Sequence, residues 1–189
     1  MLNITNETLE RWLKEDIPYL DLTTFVLGIG NQEGEMQIYS RENAVICGTE
    51  EVKRLCDLKG AEVIGYIPSG GKVSANEVII TIKGKASTLH MLWKTCQNIL
   101  EYASAIATRT DKLVRKARKY NEQITIVSTR KVFPGTKELS IKAVLCGGGY
   151  PLRLGLSETV LIFQQHRNFL SSAEYIKKLA ELKSHVSEK

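Results

Sequence analysis

The sequence has four cysteines, Cys47, Cys56, Cys96 and Cys146, but no C-x-x-C pair, and no histidine stands at metal-ligand spacing from any of them. That pattern gives no zinc site and no disulfide framework, and a reducing, cytoplasmic compartment is the simplest expectation. Long hydrophobic runs are also missing. The longest falls far short of the roughly 20 residues that cross a bilayer, so no membrane partner is expected. The N-terminal stretch MLNITNETLERWLKEDIP carries acids where a signal peptide is basic and has no apolar h-region, so export is not expected. Internal repeats and low-complexity tracts are absent. So is the G-x-x-x-x-G-K-[ST] frame of a P-loop around the lone Gly147-Gly148-Gly149.

What is present is 189 residues, 43% apolar and 25% charged, the balance of a folded globular protein. The formal net charge of +5 suits nucleic acid, anionic lipid or small acidic substrates, and charge alone does not choose among them.

Thr5-Asn6-Glu7 offers an N-cap, with Leu9, Trp12 and Leu13 following at helical spacing and Pro18 as a stop. From Thr24 to Lys85, short β-branched runs alternate with glycines. Strands are expected at Phe25 to Leu27, Met36 to Tyr39, Ala44 to Ile46, Val63 to Tyr66 and Val78 to Ile82, with a helix from about Glu50 to Leu58 among them. This stretch reads as an α+β layer with an antiparallel sheet. Ser87 to Tyr120 holds no glycine or proline and repeats apolar residues at helical spacing. It predicts one long helix, or two joined near Thr108 to Asp111, and marks the boundary between two domains, 1–110 and 111–189.

Beyond it the expected order is a strand at Ile124 to Val127, a helix at Glu138 to Cys146, a strand at Val160 to Phe163 and a helix at Ala173 to Val186. Alternation of this kind argues for a parallel sheet or barrel. Two such units cannot close a barrel, and the last helix has an apolar face to bury. The chain is therefore expected to be incomplete relative to a stable fold, or completed by other chains.

Two clusters carry charge or backbone freedom suited to chemistry. Ser128-Thr129-Arg130-Lys131-Val132-Phe133-Pro134-Gly135-Thr136-Lys137 follows the strand at Ile124 to Val127. Adjacent cations there suit carboxylate or phosphate, arginine as a planar fork and lysine as a point charge. The plainer reading, solvated loop residues, is slightly favoured on these residues alone. The second cluster is Cys146-Gly147-Gly148-Gly149-Tyr150-Pro151-Leu152-Arg153-Leu154-Gly155-Leu156. Its glycines could present backbone N–H groups to an anion, or could simply close a helix.

Taken together, S-T-R-K-V-F-P-G-T-K, C-G-G-G-Y-P-L-R-L-G-L and V-L-I-F-Q-Q-H resemble the run of motifs in quinolinate phosphoribosyltransferases. Glu15-Asp16 through Asp21-Leu22-Thr23-Thr24 is similar to that family's E-D-x-x-x-x-D-x-T-[TS], and Ser104-Ala105-Ile106-Ala107-Thr108 to its S-G-I-A-T. Five segments in order make chance a poor explanation. R-K-V-F-P-G-T-K and L-G-L-S-E-T are closest to the branch of the family associated with molybdenum uptake.

The resemblance implies an α/β protein with an α+β N-terminal domain followed by the beginning of an open β/α barrel, working as a homodimer. It implies transfer of 5-phosphoribose from phosphoribosyl pyrophosphate to the ring nitrogen of a heterocyclic acid, with pyrophosphate released and magnesium bound. The magnesium ligands of the family lie on later strands, so none is assigned in this chain. Carried over by position, Arg130, Lys131 and Arg153 are substrate-binding cations, with Lys131 the candidate catalytic residue. Lys94 stands for an arginine that reaches into the partner subunit's site, and His166 matches the histidine ending L-I-K-D-N-H. Gly147, Gly148 and Gly149 are candidate phosphate-binding backbone.

Two departures stand out: Leu152 where the family has the histidine of N-H-R, and Phe163 where it has the lysine of L-I-K. Groups that help hold the quinolinate carboxylates are replaced by apolar ones, so weak or no use of quinolinate is expected, with an acceptor of fewer carboxylates or more apolar surface. The same departures support the alternative of a non-catalytic binding or dimerisation protein that keeps the fold. Of the remaining residues, His90 and His185 are expected to be solvated or packed, Trp12 and Trp93 to be core anchors, and Cys146 to be a small buried residue. The basic run Lys112, Arg115, Lys116, Arg118 and Lys119 is interleaved with Leu113, Val114, Ala117 and Tyr120. It reads as the solvated face of a helix rather than a nucleic-acid site.

Overall fold

A computed structural model describes residues 4–186, except for the side chains of Lys183 and His185. The expectation for the His185 side chain thus lies outside the described residues.

The first helix, α1 (Asn6–Asp16), starts where Thr5 Oγ1 accepts the N–H of Thr8, and buries Leu9 and Leu13. The expected strand at Phe25 to Leu27 is instead α2 (Leu22–Leu27). The reason is local: the Asp21 carboxylate accepts the N–H groups of Thr23 and Thr24, and Gly28 closes the turn at φ 65. Leu22, Phe25, Val26 and Leu27 point outward, each 64% exposed or more.

Strand β1 (Glu33–Tyr39), the short β2 (Ala44–Val45), helix α3 (Thr49–Lys59), β3 (Glu62–Tyr66), β4 (Lys72–Val73) and β5 (Val78–Lys85) follow. They form an antiparallel sheet in the order β1-β5-β3 and a small β2-β4 ladder. In β5 the alternation places Ile80 and Ile82 in the core, opposite Ile38 and Met36 of β1.

Helix α4 (Ala86–Arg118) runs 33 residues without a break, about 50 Å. Near the expected joint, Thr110 Oγ1 donates back to the Ile106 carbonyl at 2.8 Å and the helix continues. Its core side carries Leu89, Leu92, Cys96, Ile99, Leu100 and Ala103. The sequence motif residues Ser104 and Thr108 accept the backbone N–H groups of Cys47 (3.0 Å) and Val45 (2.8 Å). Four residues of helix advance about 6 Å and two of strand about 6.6 Å, so this spacing fits a helix lying against an extended edge.

Strand β6 (Val127–Ser128), helix α5 (Lys137–Cys146) and strand β7 (Tyr150–Pro151) form a β-α-β unit in which the strands pair in parallel. Here the structure corrects two expectations. The first strand is shorter than Ile124 to Val127. Its partner is Tyr150–Pro151, not Val160 to Phe163, because the chain leaving α5 at Gly149 returns at once to β6: the Tyr150 N–H bonds the Ile126 carbonyl at 2.9 Å. The element order is that of the α/β class anticipated.

The chain divides into two compact units, one up to Pro151 and one from Leu152. The second holds the four-residue α6 (Gln164–Arg167), capped by Phe163, and α7 (Ser172–His185), opened by a Ser171–Glu174 capping box. On the face of α7 expected to be apolar, Ile176 is 67% and Leu179 is 40% exposed.

Candidate functional site

The cationic loop lies between β6 and α5. Thr136 donates its N–H to the Phe133 carbonyl at 3.1 Å across Pro134-Gly135, with Gly135 at φ 85. Proline followed by a left-handed glycine is the requirement of a type II turn, so the loop has a fixed corner. Arg130 and Lys131 are exposed on the strand side of it. Tyr102 of α4, not singled out in the sequence, pins the far side. Its hydroxyl lies 3.1 Å from both Thr136 Oγ1 and Ser140 Oγ.

The glycine turn has a different role from the one expected. Gly147, Gly148 and Gly149 donate their N–H groups to the carbonyls of Ala143, Leu145 and Val144 at 3.1, 2.9 and 3.0 Å. All three donors close α5, so the expectation of a phosphate-binding backbone is corrected. The glycines are needed for contact instead. A Cβ on Gly147 would meet the Ala107 carbonyl and, at 2.5 Å, Thr110 Cβ, and one on Gly149 would meet Thr110 Cγ2 at 2.8 Å. Only bare backbone lets α5 end against α4.

Behind the loop is a buried ion cluster that the sequence signalled only as a lysine inside the apolar run Ser140 to Val144. Lys142 Nζ donates to Glu50 Oε2 at 2.7 Å and to Glu51 Oε2 at 2.5 Å. Glu50 also accepts the N–H (2.8 Å) and hydroxyl (2.5 Å) of Ser69, whose Oγ receives the Gly48 N–H at 2.9 Å. Burial alone would push the Lys142 ammonium down, but its two carboxylate partners raise it overall. Burial likewise works to raise Glu50, yet the bonds from Lys142 and Ser69 win and hold it at about 2. Cys146, half-buried rather than fully buried, shares a thiol hydrogen bond with Cys47. That bond brings Cys146 down and pushes Cys47 up, and the Lys142 charge favours the thiolate of both.

A second region runs along the opposite face of α4. Beside β1 and the following turn lies an open groove of about 930 Å³, whose lining includes His90, Trp93, Lys94, Gln97 and Glu101. Trp93, expected in the core, is 51% exposed there, because the core side of this turn is taken by Leu92 and Cys96. Trp12, by contrast, packs against the core. Lys94 Nζ sits 5.3 Å from the Trp93 ring centroid and donates to Gln97 Oε1 at 3.0 Å. His90 Nδ1 is 2.6 Å from Thr24 Oγ1, whose hydroxyl also bonds the Asp21 carboxylate. The Thr24 hydroxyl, against desolvation and helped by the Thr24 and Thr23 N–H groups, draws Asp21 below the usual carboxylate range.

In the second unit, Arg153 Nη1 donates to the Thr159 carbonyl at 3.1 Å, and Glu158 accepts the Leu154 N–H at 2.5 Å. Arg153 thus helps shape its own loop. His166 Nδ1 accepts the Phe163 N–H at 3.0 Å, with the two rings stacked at 6.0 Å. Leu152 and Phe163 are 62% and 50% exposed.

The basic run on α4 is solvated as expected, with Arg115 bonded to Asp111 at 2.8 Å. Only Val114 of the interleaved stripe is buried, whereas Leu113 and Tyr120 are exposed. Among the described residues no helix is long and apolar enough to cross a membrane.

Comparison with known proteins gives a consistent set of matches. The family model described as quinolinate phosphoribosyl transferase, N-terminal domain, matches residues 21–104, and that for the C-terminal domain matches residues 106–189. The ModD pyrophosphorylase of Rhodobacter capsulatus is 35% identical over 189 residues, covering 100% of this chain and 73% of the relative. That of Pasteurella multocida is 35% identical over 175 residues, covering 92% of this chain and 62% of the relative. The solved nicotinate-nucleotide pyrophosphorylase of Francisella tularensis superposes with a TM-score of 0.87 at 26% identity, covering 100% of this chain and 67% of that one. The chain thus spans roughly two thirds of the length of the proteins it matches.

Proposed function

Because the chain belongs to the quinolinate phosphoribosyl transferase family, we propose that it takes part in phosphoribosyl transfer. The C1–oxygen bond of phosphoribosyl pyrophosphate breaks, pyrophosphate leaves with the bonding electrons, and the ring nitrogen of a heterocyclic acid forms the new bond to C1. Separating charge of this kind is helped by positioning two anions and stabilising the developing negative charge, rather than by covalent participation. The observation that carries this reading is the exposed Arg130-Lys131 pair, held at the end of a parallel strand by the Pro134-Gly135 turn. Arg130 offers a bidentate fork to a phosphate or carboxylate, and Lys131, the candidate catalytic residue, a point charge to the leaving pyrophosphate. Arg153 and His166 are further candidates by their place in the motifs, each at present serving its own loop.

The acceptor we propose is not quinolinate. Leu152 and Phe163 give a second carboxylate no charged partner, and a desolvated carboxylate without one is costly. Magnesium is implied by the family, but among the described residues no group of three or more His, Cys, Asp or Glu side chains gathers to hold it.

The proposed organisation is an N-terminal domain over 1–110, the first part of a barrel over 111–189, and a homodimer in which Lys94 reaches the partner's site. The molybdenum association of the relatives' branch extends to this chain as a proposal, testable by molybdate accumulation in cells that lack the protein.

The deciding assay is pyrophosphate release from phosphoribosyl pyrophosphate with magnesium and a panel of heterocyclic acids. Release that falls at least a hundredfold in Lys131→Ala supports the reading. Release unaffected by both Arg130→Ala and Lys131→Ala refutes the roles given to them. No release with any acceptor favours the second reading, a binding or dimerisation protein. The observation behind that one is the pair of exposed apolar side chains, Leu152 and Phe163, at positions where the family carries basic groups.

A further inference from the structure

The cationic loop is nearly all surface. From Thr129 to Gly135 every residue but Val132 is exposed. The bonds inside it are short-range: the Lys131 N–H donates to Thr129 Oγ1 at 3.3 Å and the Val132 N–H to the Arg130 carbonyl at 3.0 Å. A stretch with so little buried contact opens easily unless something outside it holds it. Its far end is held from α4. The Tyr102 hydroxyl reaches 3.1 Å to both Thr136 Oγ1 and Ser140 Oγ, which lie 3.3 Å from each other.

The available protons give these contacts a direction. Thr136 Oγ1 donates to the Phe133 carbonyl and Ser140 Oγ to the Thr136 carbonyl, both at 2.8 Å. Each hydroxyl has one proton, so both oxygens are acceptors toward Tyr102 and the phenol is the donor. The Phe133 carbonyl also accepts the Thr136 N–H that closes the Pro134-Gly135 turn. One line of bonds therefore runs from the phenol, through the Thr136 hydroxyl, to the corner of the turn. Hydrogen bonds in such a line strengthen one another. Both ends of the line stand on packed structure. Leu100 and Ala103, beside Tyr102 on α4, are buried, and α5 is tied down by Lys142 and by Gly147 against α4.

We propose that Tyr102 is a positioning residue for the cationic loop, its hydroxyl holding Arg130 and Lys131 where they meet the pyrophosphate group of the substrate. It acts through the loop and not on the substrate, and it rests on the phosphoribosyl-transfer reading only for the identity of the anion. The size of the effect is set by one hydrogen bond. Without it the loop samples other conformations, and a binding-competent fraction reduced to about a third or a tenth raises Kd by the same factor. Saturating substrate orders the loop again, so KM rises while kcat is kept. A merely structural role would instead reduce the amount of folded protein, lowering kcat at an unchanged KM. Tyr102→Phe is a mild change for the fold. Thr136 Oγ1 and Ser140 Oγ keep their own carbonyl partners, and the Tyr102 side chain is already in contact with solvent.

The test compares the full chain with its Tyr102→Phe variant. Calorimetry with inorganic pyrophosphate and magnesium should show Kd raised about three- to tenfold in the variant, with Tm within a few degrees of the parent. Exchange of the Thr136 amide proton, followed by NMR, should quicken by about threefold or more. Thr136→Val, which breaks the same line of bonds, should repeat the rise in Kd, and Tyr102→Phe added to it should change little further. An unchanged Kd or an unchanged Thr136 amide in Tyr102→Phe overturns the proposal, and so do effects of the two substitutions that simply multiply. Pyrophosphate release separates this role from the reading it rests on. A raised KM for phosphoribosyl pyrophosphate with kcat kept supports the positioning role, whereas a lowered kcat at unchanged KM overturns it. A parent chain that binds pyrophosphate but releases none refutes the transfer reading and leaves the role to the Kd comparison. One that binds no pyrophosphate also refutes that reading, and the Thr136 amide alone then decides whether Tyr102 holds the loop.

Discussion

Replacing Lys142 by methionine should destabilise the fold by about 3 kcal/mol, near the lower end of the range for removing one partner from a buried ion cluster. The lower end applies because the two carboxylates left behind are unequal. The Glu51 side chain is 6% exposed and would be stranded, whereas that of Glu50 is 36% exposed and keeps both Ser69 bonds. The acid limb tests the same cluster. Glu50 is depressed from 4.5 to about 2, so its contribution is present above pH 4.5 and lost as pH falls through about 2. The full shift would correspond to roughly 3 kcal/mol. Because more than a third of the side chain is solvated, about 1–2 kcal/mol is the reasonable expectation.

Lys142 is raised and behaves with the opposite sign. Its contribution is complete below pH 10.5 and is lost as pH rises through its folded value. Urea unfolding at pH 7, 5 and 3 is the assay, with Lys142→Met compared against Lys142→Met/Glu50→Gln/Glu51→Gln. The triple variant should recover much of the loss at pH 7, because no uncompensated charge remains. A single variant within about 0.5 kcal/mol of the parent, or one that keeps the parent's acid slope, would refute the argument.

Other perturbations follow from single contacts. Gly147→Ala drives a Cβ into the Ala107 carbonyl and Thr110, and should cost about 2–3 kcal/mol by overpacking. Gly148→Ala meets nothing nearer than Val114 at 3.8 Å but sits at φ 81, and should cost only about 1 kcal/mol; thermal melts would rank the two. Thr24→Val removes the link between Asp21 and His90. It should free the His90 ring to change tautomer, visible in its ring nitrogen NMR shifts, at a stability cost of about 1–2 kcal/mol. Of the four thiols, Cys146 should react first with a soluble alkylating agent, because it is the only one not fully buried and its contact with Cys47 and the Lys142 charge draw it toward thiolate; mass mapping of the first modified site would check this.

The long helix, the central strands and the α5 helix were legible because each has a strong period over enough residues to outweigh local exceptions. Phe25 to Leu27 misled because three apolar residues in a row say nothing of period, and the deciding signal was the Asp21 cap before them. Val160 to Phe163 misled for a different reason: a strand is made by its partner, and β6 is paired by Tyr150–Pro151 instead. At the candidate site, Arg130 and Lys131 were visible as charge beside a turn signal. Lys142 was not, since its partners Glu50 and Glu51 lie about ninety residues away and no local pattern links them. The glycine triplet was seen but misassigned. Sequence shows that a side chain is missing, and only the packing shows that Ala107 and Thr110 take its place. His90 and Trp93 were hidden by their own helix, where one residue's shift in phase separates core from groove.

The continuity of α4 limits how this protein can change over generations. One helix sets Trp93 in the groove from its early turns and receives Gly147 and Gly149 against Ala107 and Thr110 further along. Adding or deleting a single residue between Trp93 and Thr110 would rotate one end against the other by about 100° and shift it by about 1.5 Å. Thr110 would then turn away from the glycines while Trp93 stayed in place. Substitutions along the helix can be accepted one at a time, but its residue count between those two points is locked. Length variation is therefore expected to accumulate in the turns, such as Ser40 to Asn43, and not in the shaft.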